Sequence, residues 1–163
     1  MKDLPHILRI LYDAAIEFVV IGGAAMHLQG SAYVTKDVDF CYSRTTENIK
    51  RLATALHPFD PMLRGAPPGL PFRFDARAIA QGQDFTLTTD LGDLDFLGEV
   101  SGLGSYDAVK TMADTMMIDG MPVAVLSLPG LIKSKKAAGR PKDLHALPEL
   151  EALEQLKRKT GVE

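Results

Sequence analysis

Val20-Ile21-Gly22-Gly23 is followed, thirteen residues on, by Asp37-Val38-Asp39-Phe40, and the order of these two segments is the most informative feature of the chain. Phe18 to Ile21 is a short apolar run that reads as a buried strand. Glycines at its end suit a tight strand-to-helix turn whose backbone N–H groups can approach a phosphate. Residues 37–42 alternate polar and apolar, as a second strand does. Alternation puts Asp37 and Asp39 on one face with Val38 on the other. Two close carboxylates repel unless a cation lies between them, and hard oxygen donors suit Mg²⁺ shared with substrate phosphates. Asp93 and Asp95 form a similar pair further along, and three convergent carboxylates can serve a metal-assisted phosphoryl transfer.

Outward from these segments the pattern is α/β. Leu4, Ile7, Leu8, Leu11, Ala15 and Phe18 recur at helical spacing, which predicts a helix over 3–16. A short helix is expected over 24–28 and an amphipathic one over 46–56. Residues 58–71 hold five prolines and two glycines and read as a loop. Two hairpins are expected, one turning at Asp90-Leu91-Gly92 and one at Asp119-Gly120. Helical signals resume at Ser127, break at Gly139 and Pro141, and continue over 142–158.

The 163 residues predict one domain over 1–163. With 46% hydrophobic residues the chain is neither disordered nor low-complexity. One cysteine excludes an intramolecular disulfide framework and a Cys-based zinc cluster. The longest apolar run is too short to span a bilayer, and no secretory signal is evident, so a cytoplasmic protein without membrane contact is expected. The net charge of −3 is uneven. Residues 1–130 carry 10 basic and 16 acidic side chains; the basic C-terminal helical segment, 131–163, carries 8 and 5. An acidic body suits metal ions and a basic tail suits phosphates. In the tail Lys133, Lys136 and Arg140 fall at i, i+3 and i+7, which on one continuous helix would align three cations.

Together these motifs resemble the polymerase-beta-like nucleotidyltransferase superfamily. Gly30 to Phe40, and the tail from Leu131 to Leu144 with its Lys…Arg-x-Lys-Asp pattern, are similar to the bacterial abortive-infection and toxin–antitoxin branch. The resemblance implies a minimal nucleotidyltransferase fold, a short mixed sheet with helices packed on the face away from the site. It implies that Asp37, Asp39 and Asp95 bind Mg²⁺ or Mn²⁺, with Asp95 a ligand or the base for the acceptor hydroxyl. It implies that Gly22, Gly23, Lys133, Lys136 and Arg140 meet the phosphates of an NTP, and that Asp143 orients the lysines or the nucleotide. The expected reaction moves a nucleoside monophosphate from an NTP to a tRNA 3′ end or a protein, with an antitoxin or a second copy as partner. Two alternatives are an antibiotic-modifying enzyme acting on a small acceptor and an inactive nucleotide- or partner-binding domain. Tyr33 stands where the branch often has Arg, a loss that Arg44 could offset. The chain's shortness leaves little for acceptor recognition.

Overall fold

The computed structural model describes residues 3–161. In chain order the elements are α1 (Leu4–Asp13), β1 (Phe18–Ile21), α2 (Gly22–Leu28), β2 (Val38–Tyr42), α3 (Thr46–Leu56), β3 (Met62–Leu63), α4 (Ala76–Gln81), β4 (Phe85–Thr89) and β5 (Gly92–Leu97). The ribbon β6 (Glu99–Val100) and β7 (Gly104–Ser105) follows, then α5 (Tyr106–Thr111), β8 (Ala113–Ile118), β9 (Met121–Leu126), α6 (Leu128–Ala138) and α7 (Pro141–Thr160). Seven strands form one sheet in the order β3-β4-β5-β2-β1-β9-β8. It is mixed: β2 runs parallel to β5 and β1 parallel to β9, while the other neighbours are antiparallel.

Local chemistry starts the helices where the sequence suggests. Asp3 caps α1 by accepting from the His6 N–H at 3.2 Å, Thr45 caps α3 through the Asn48 N–H at 3.3 Å, and Ser127 caps α6 through the Gly130 N–H at 3.2 Å. Glu47 sits in the first turn of α3, where the helix dipole favours it. The expected first helix is shorter than its pattern, because it ends at Asp13 and Ala15 turns to φ +56°.

Register then decides what each face carries. Val38 and Phe40 pair with Leu94 and Phe96, and all four are buried. Phe40 stacks on Phe96 at 5.1 Å between ring centroids, and Phe18, Tyr42 and Phe74 add edge or tilted contacts to this pair. Helix α1 packs on α3 and α3 on α4, closing over this aromatic face. Alternation leaves Asp39 and Asp95 on the opposite face. The short elements α4, α5, β3 and the β6–β7 ribbon were not expected from the sequence. Each spans six residues or fewer, too little for a periodic signal. No helix among the described residues is long and apolar enough to cross a membrane.

Asn48 ties the two strands of the Gly-Gly and Asp-x-Asp segments together behind the site. Fully buried, it accepts from the Glu17 N–H at 2.7 Å and donates to the carbonyls of Glu17 and Ser43 at 3.1 and 2.7 Å. Asn48→Ala takes the side-chain partner from the Glu17 N–H and the Ser43 carbonyl, while the Glu17 carbonyl keeps the Ser43 N–H at 3.2 Å. We expect it to lower the unfolding free energy by about 2–4 kcal/mol, read as a lower urea midpoint at unchanged m-value.

Candidate active site

The parallel pairing of β2 with β5 sets Asp39 directly beside Asp95. Neighbouring carboxylates and burial together raise the Asp39 pKa to about 7; burial is the larger cause, then the charge of Asp95, a hydrogen bond shared with Asp95, and the charge of Asp37. The Asp39 Oδ1 atom is buried without a hydrogen-bond partner. Ile21 pairs with Asp39 across the antiparallel β1–β2 ladder, which brings the glycine turn against the same carboxylate. Gly22 has φ +60°, and a Cβ there would lie 3.1 Å from Asp39 Cγ and still closer to Asp39 Oδ2. Only glycine satisfies both the left-handed backbone and this approach.

The two glycines are not equivalent. Gly22 lines a cleft of about 260 Å³ with Asp39, Ser134, Lys135, Arg140 and Asp143. Gly23 is not part of that lining; its α-carbon is covered by Thr35 and by the Tyr33 ring, each 2.8 Å from where a Cβ would stand. Tyr33 thus packs over the turn, 49% exposed. Arg44 does not replace the missing arginine. Its guanidinium donates to the Tyr42 hydroxyl and to the carbonyls of Ile79 and Ala80.

On the far side of the cleft the cations are arranged differently from the expected helical stripe. Helix α6 ends at Ala138 and Gly139 reverses at φ +64°, so Arg140 begins α7 instead of continuing the face of Lys133 and Lys136. Lys133 is exposed outside the cleft lining, and Lys136 is turned to Glu151 at 3.8 Å. Lys135 is the lysine that faces the carboxylates. Its charge acts on Asp39, and its Nζ donates to Asp143 Oδ1 at 3.3 Å. Arg140 grips the same carboxylate through Nε at 2.6 Å and Nη2 at 3.2 Å. Asp143, 1% exposed, therefore orients both cations, and their bonds hold its pKa below the usual carboxylate range despite burial.

Sequence reasoning missed Arg64. From the turn just after the edge strand β3 it reaches into the acidic cluster: Nη2 donates to Asp95 Oδ1 at 2.6 Å, Nη1 lies 3.5 Å from Asp37 Oδ2, and Nε lies 3.4 Å from Asp93 Oδ2. Among the described residues no three His, Cys, Asp or Glu side chains converge as metal ligands would. The guanidinium stands between Asp37, Asp93 and Asp95 instead. The donor set nevertheless fits a hard divalent cation in kind, with carboxylate oxygens throughout and one, Asp39 Oδ1, unpartnered.

No family model matches the chain, and no curated protein matches it. Among solved structures it is similar to a candidate nucleotidyltransferase from Thermotoga maritima, at 16% identity and a TM-score of 0.51, covering 94% of this chain and 92% of the other. It is also similar to an antigenic nucleotidyltransferase-like protein from Paracoccidioides brasiliensis, at 19% identity and a TM-score of 0.57, covering 94% and 74%. These likenesses show that the fold is that of the nucleotidyltransferase-like proteins.

The raised Asp39 value has a sign that can be checked. The unfolded chain releases this proton near 3.8 and the folded chain near 7. Between those values the folded state binds more protons, so stability conferred by protonated Asp39 falls as pH rises, and the slope ends above about 7. Asp143 acts in the opposite direction, at lower pH. Asp39→Asn should flatten the urea midpoint between about pH 5 and 7 in metal-free buffer, removing a dependence of at most about 3 kcal/mol across that interval.

Proposed function

We propose that the chain is a metal-dependent nucleotidyltransferase that moves a nucleoside monophosphate from an NTP to a hydroxyl acceptor and releases pyrophosphate. One observation carries this reading: Gly22 is pressed onto Asp39 on one wall of a cleft whose other wall presents Lys135 and Arg140. Carboxylates and fixed cations facing each other across a cleft suit a polyphosphate, whose charge must be held and neutralised where it develops. Asp37, Asp39 and Asp95 would hold Mg²⁺ or Mn²⁺, which would polarise the phosphoryl oxygens. The Gly22 turn, which lines the same cleft, would lie beside the phosphate chain. Lys135 and Arg140, held by Asp143, would take up charge on the leaving pyrophosphate. Asp95, beside Asp39, would accept the proton of the acceptor hydroxyl.

The resemblance implies an RNA 3′ end or a protein as acceptor in a toxin-like system, and of the two the reading favours RNA. A groove beside the glycine turn, lined by Met26, Tyr33, Lys142, His145 and Glu149, supports it. An exposed aromatic ring next to a cation and an imidazole is a surface on which an unstacked base can rest. The inactive-domain reading has Arg64 in its favour, because three of the four carboxylates already have a cation.

Incubating the protein with α-labelled NTPs, Mg²⁺ and cell extract tests both. Label should enter RNA and be lost with Asp39→Asn; Lys135→Ala should slow labelling by about 10²-fold or more. Label in protein or small metabolites would move the acceptor, and no label with any NTP would favour the inactive domain.

A further inference from the structure

We propose that Arg64 is a built-in competitor of the metal, a guanidinium that closes the acidic cluster in the metal-free protein and must withdraw for a divalent cation to enter. The inference rests on reading that cluster as a metal site. Three contacts place Arg64 in the region the cation would need, between Asp37, Asp93 and Asp95. A planar guanidinium can bridge several carboxylates at once, which a lysine ammonium does less well. It cannot share the space with a metal ion, since both would take the same oxygen lone pairs and repel each other.

The surrounding structure is suited to such an exchange. Asp39 alone of the four carboxylates has no contact with Arg64, and its Oδ1 remains unpartnered, so one donor is already free. The guanidinium also donates from Nη2 to the Leu87 carbonyl at 2.8 Å, a bond that withdrawal must break, while the backbone carrying Arg64 is held lightly. The preceding strand β3 pairs only at Met62 and Leu63 on the sheet edge, and one backbone bond, from the Arg64 N–H to the Thr86 carbonyl at 3.0 Å, continues the ladder. Immediately after it the chain leaves the sheet through Gly65 at φ +76° and Pro67-Pro68. The side chain is 27% exposed, so part of it already meets water even though its Nε is buried. Apparent metal affinity is the intrinsic affinity reduced by the fraction of molecules in which Arg64 is withdrawn.

Mn²⁺ binding to the full chain without nucleotide, followed by the loss of free-ion electron paramagnetic resonance signal, tests this. Arg64→Gln should bind Mn²⁺ about tenfold more tightly than wild type or better, and should keep that gain from about 0.15 to about 0.5 M salt, where a long-range charge effect is screened. Arg64→Lys, which keeps the charge and loses the fork, should also bind more tightly and covers the case in which Arg64→Gln does not fold. In parallel, Mg²⁺ alone should raise the Tm of the variants more than that of wild type. Variants that bind no more tightly than a binding wild type, or whose gain vanishes at high salt, overturn the exclusion and leave the metal reading standing. No Mn²⁺ binding by any of the three at millimolar concentration overturns both.

Discussion

Four carboxylates share one face at one end of β2 and β5, with Arg64 standing between three of them. The parallel register fixes Asp39 beside Asp95, and strand alternation adds Asp37 and Asp93 to the same face. Like charges this close, partly out of water, repel strongly. The structure answers with three sources of positive charge. Arg64 serves Asp37, Asp93 and Asp95; Lys135 acts on Asp39 across the cleft; and a proton remains on Asp39 up to about pH 7. Each source is local to one part of the cluster, and none satisfies Asp39 Oδ1.

The cationic wall depends in turn on one buried acid. Asp143 holds Lys135 from α6 and Arg140 from the start of α7, so both cations are oriented by a residue that is itself shielded from solvent. Helix α7 is tied down elsewhere as well. Glu149 accepts from the Ser31 hydroxyl and the Ala32 N–H, and Lys157 donates to buried Gln29, which also bonds Asp114. The loop fixed by Glu149 is the one that lays Tyr33 over Gly23. One helix therefore positions the cations and the covering of the glycine turn together, and a shift of α7 would alter both.

The parts of this arrangement that the sequence revealed are those written in short-range periodicity. Asp37 and Asp39 could be placed on one face, and Asp93 and Asp95 on one face, because a period of two survives any detail of packing, whereas the parallel register that sets Asp39 beside Asp95 is not written in it. Gly22 and Gly23 could be placed together by the order of strand, Gly-Gly, short helix and Asp-x-Asp strand, since a Gly-Gly alone is usually only a tight turn. The lysine assignment failed for an equally local reason: the i, i+3, i+7 count assumes one helix through residue 140, and Gly139 ends it. The break was visible in the sequence, and applying it to the count would have removed Arg140 from the stripe. Asp143 was legible as an orienting residue, yet the choice of Lys135 over its neighbours depends on how α6 rotates against α7. Arg64 was out of reach. It lies 27 residues from Asp37 and 31 from Asp95, inside a segment that reads as loop. The available hint, a lone arginine after the apolar pair Met62-Leu63, does not identify its partners.

The replacement of an expected arginine by Tyr33 has a consistent physical sense in this setting. A cation at that position would lie over the glycine turn, near the carboxylates, where Arg64 already supplies positive charge. Arg44, the nearest substitute by sequence, spends its donors on Tyr42, Ile79 and Ala80 and stabilises the fold. On the proposed reading, positive charge for a polyphosphate would come from the opposite wall, through Lys135 and Arg140. The cleft gains a clear polarity, acidic on the sheet side and basic on the α6–α7 side, and the aromatic ring leaves the groove beyond Gly23 suited to a flat, uncharged base. On the proposed reading, the nucleotide's phosphates and the acceptor are held by separate surfaces that share α7.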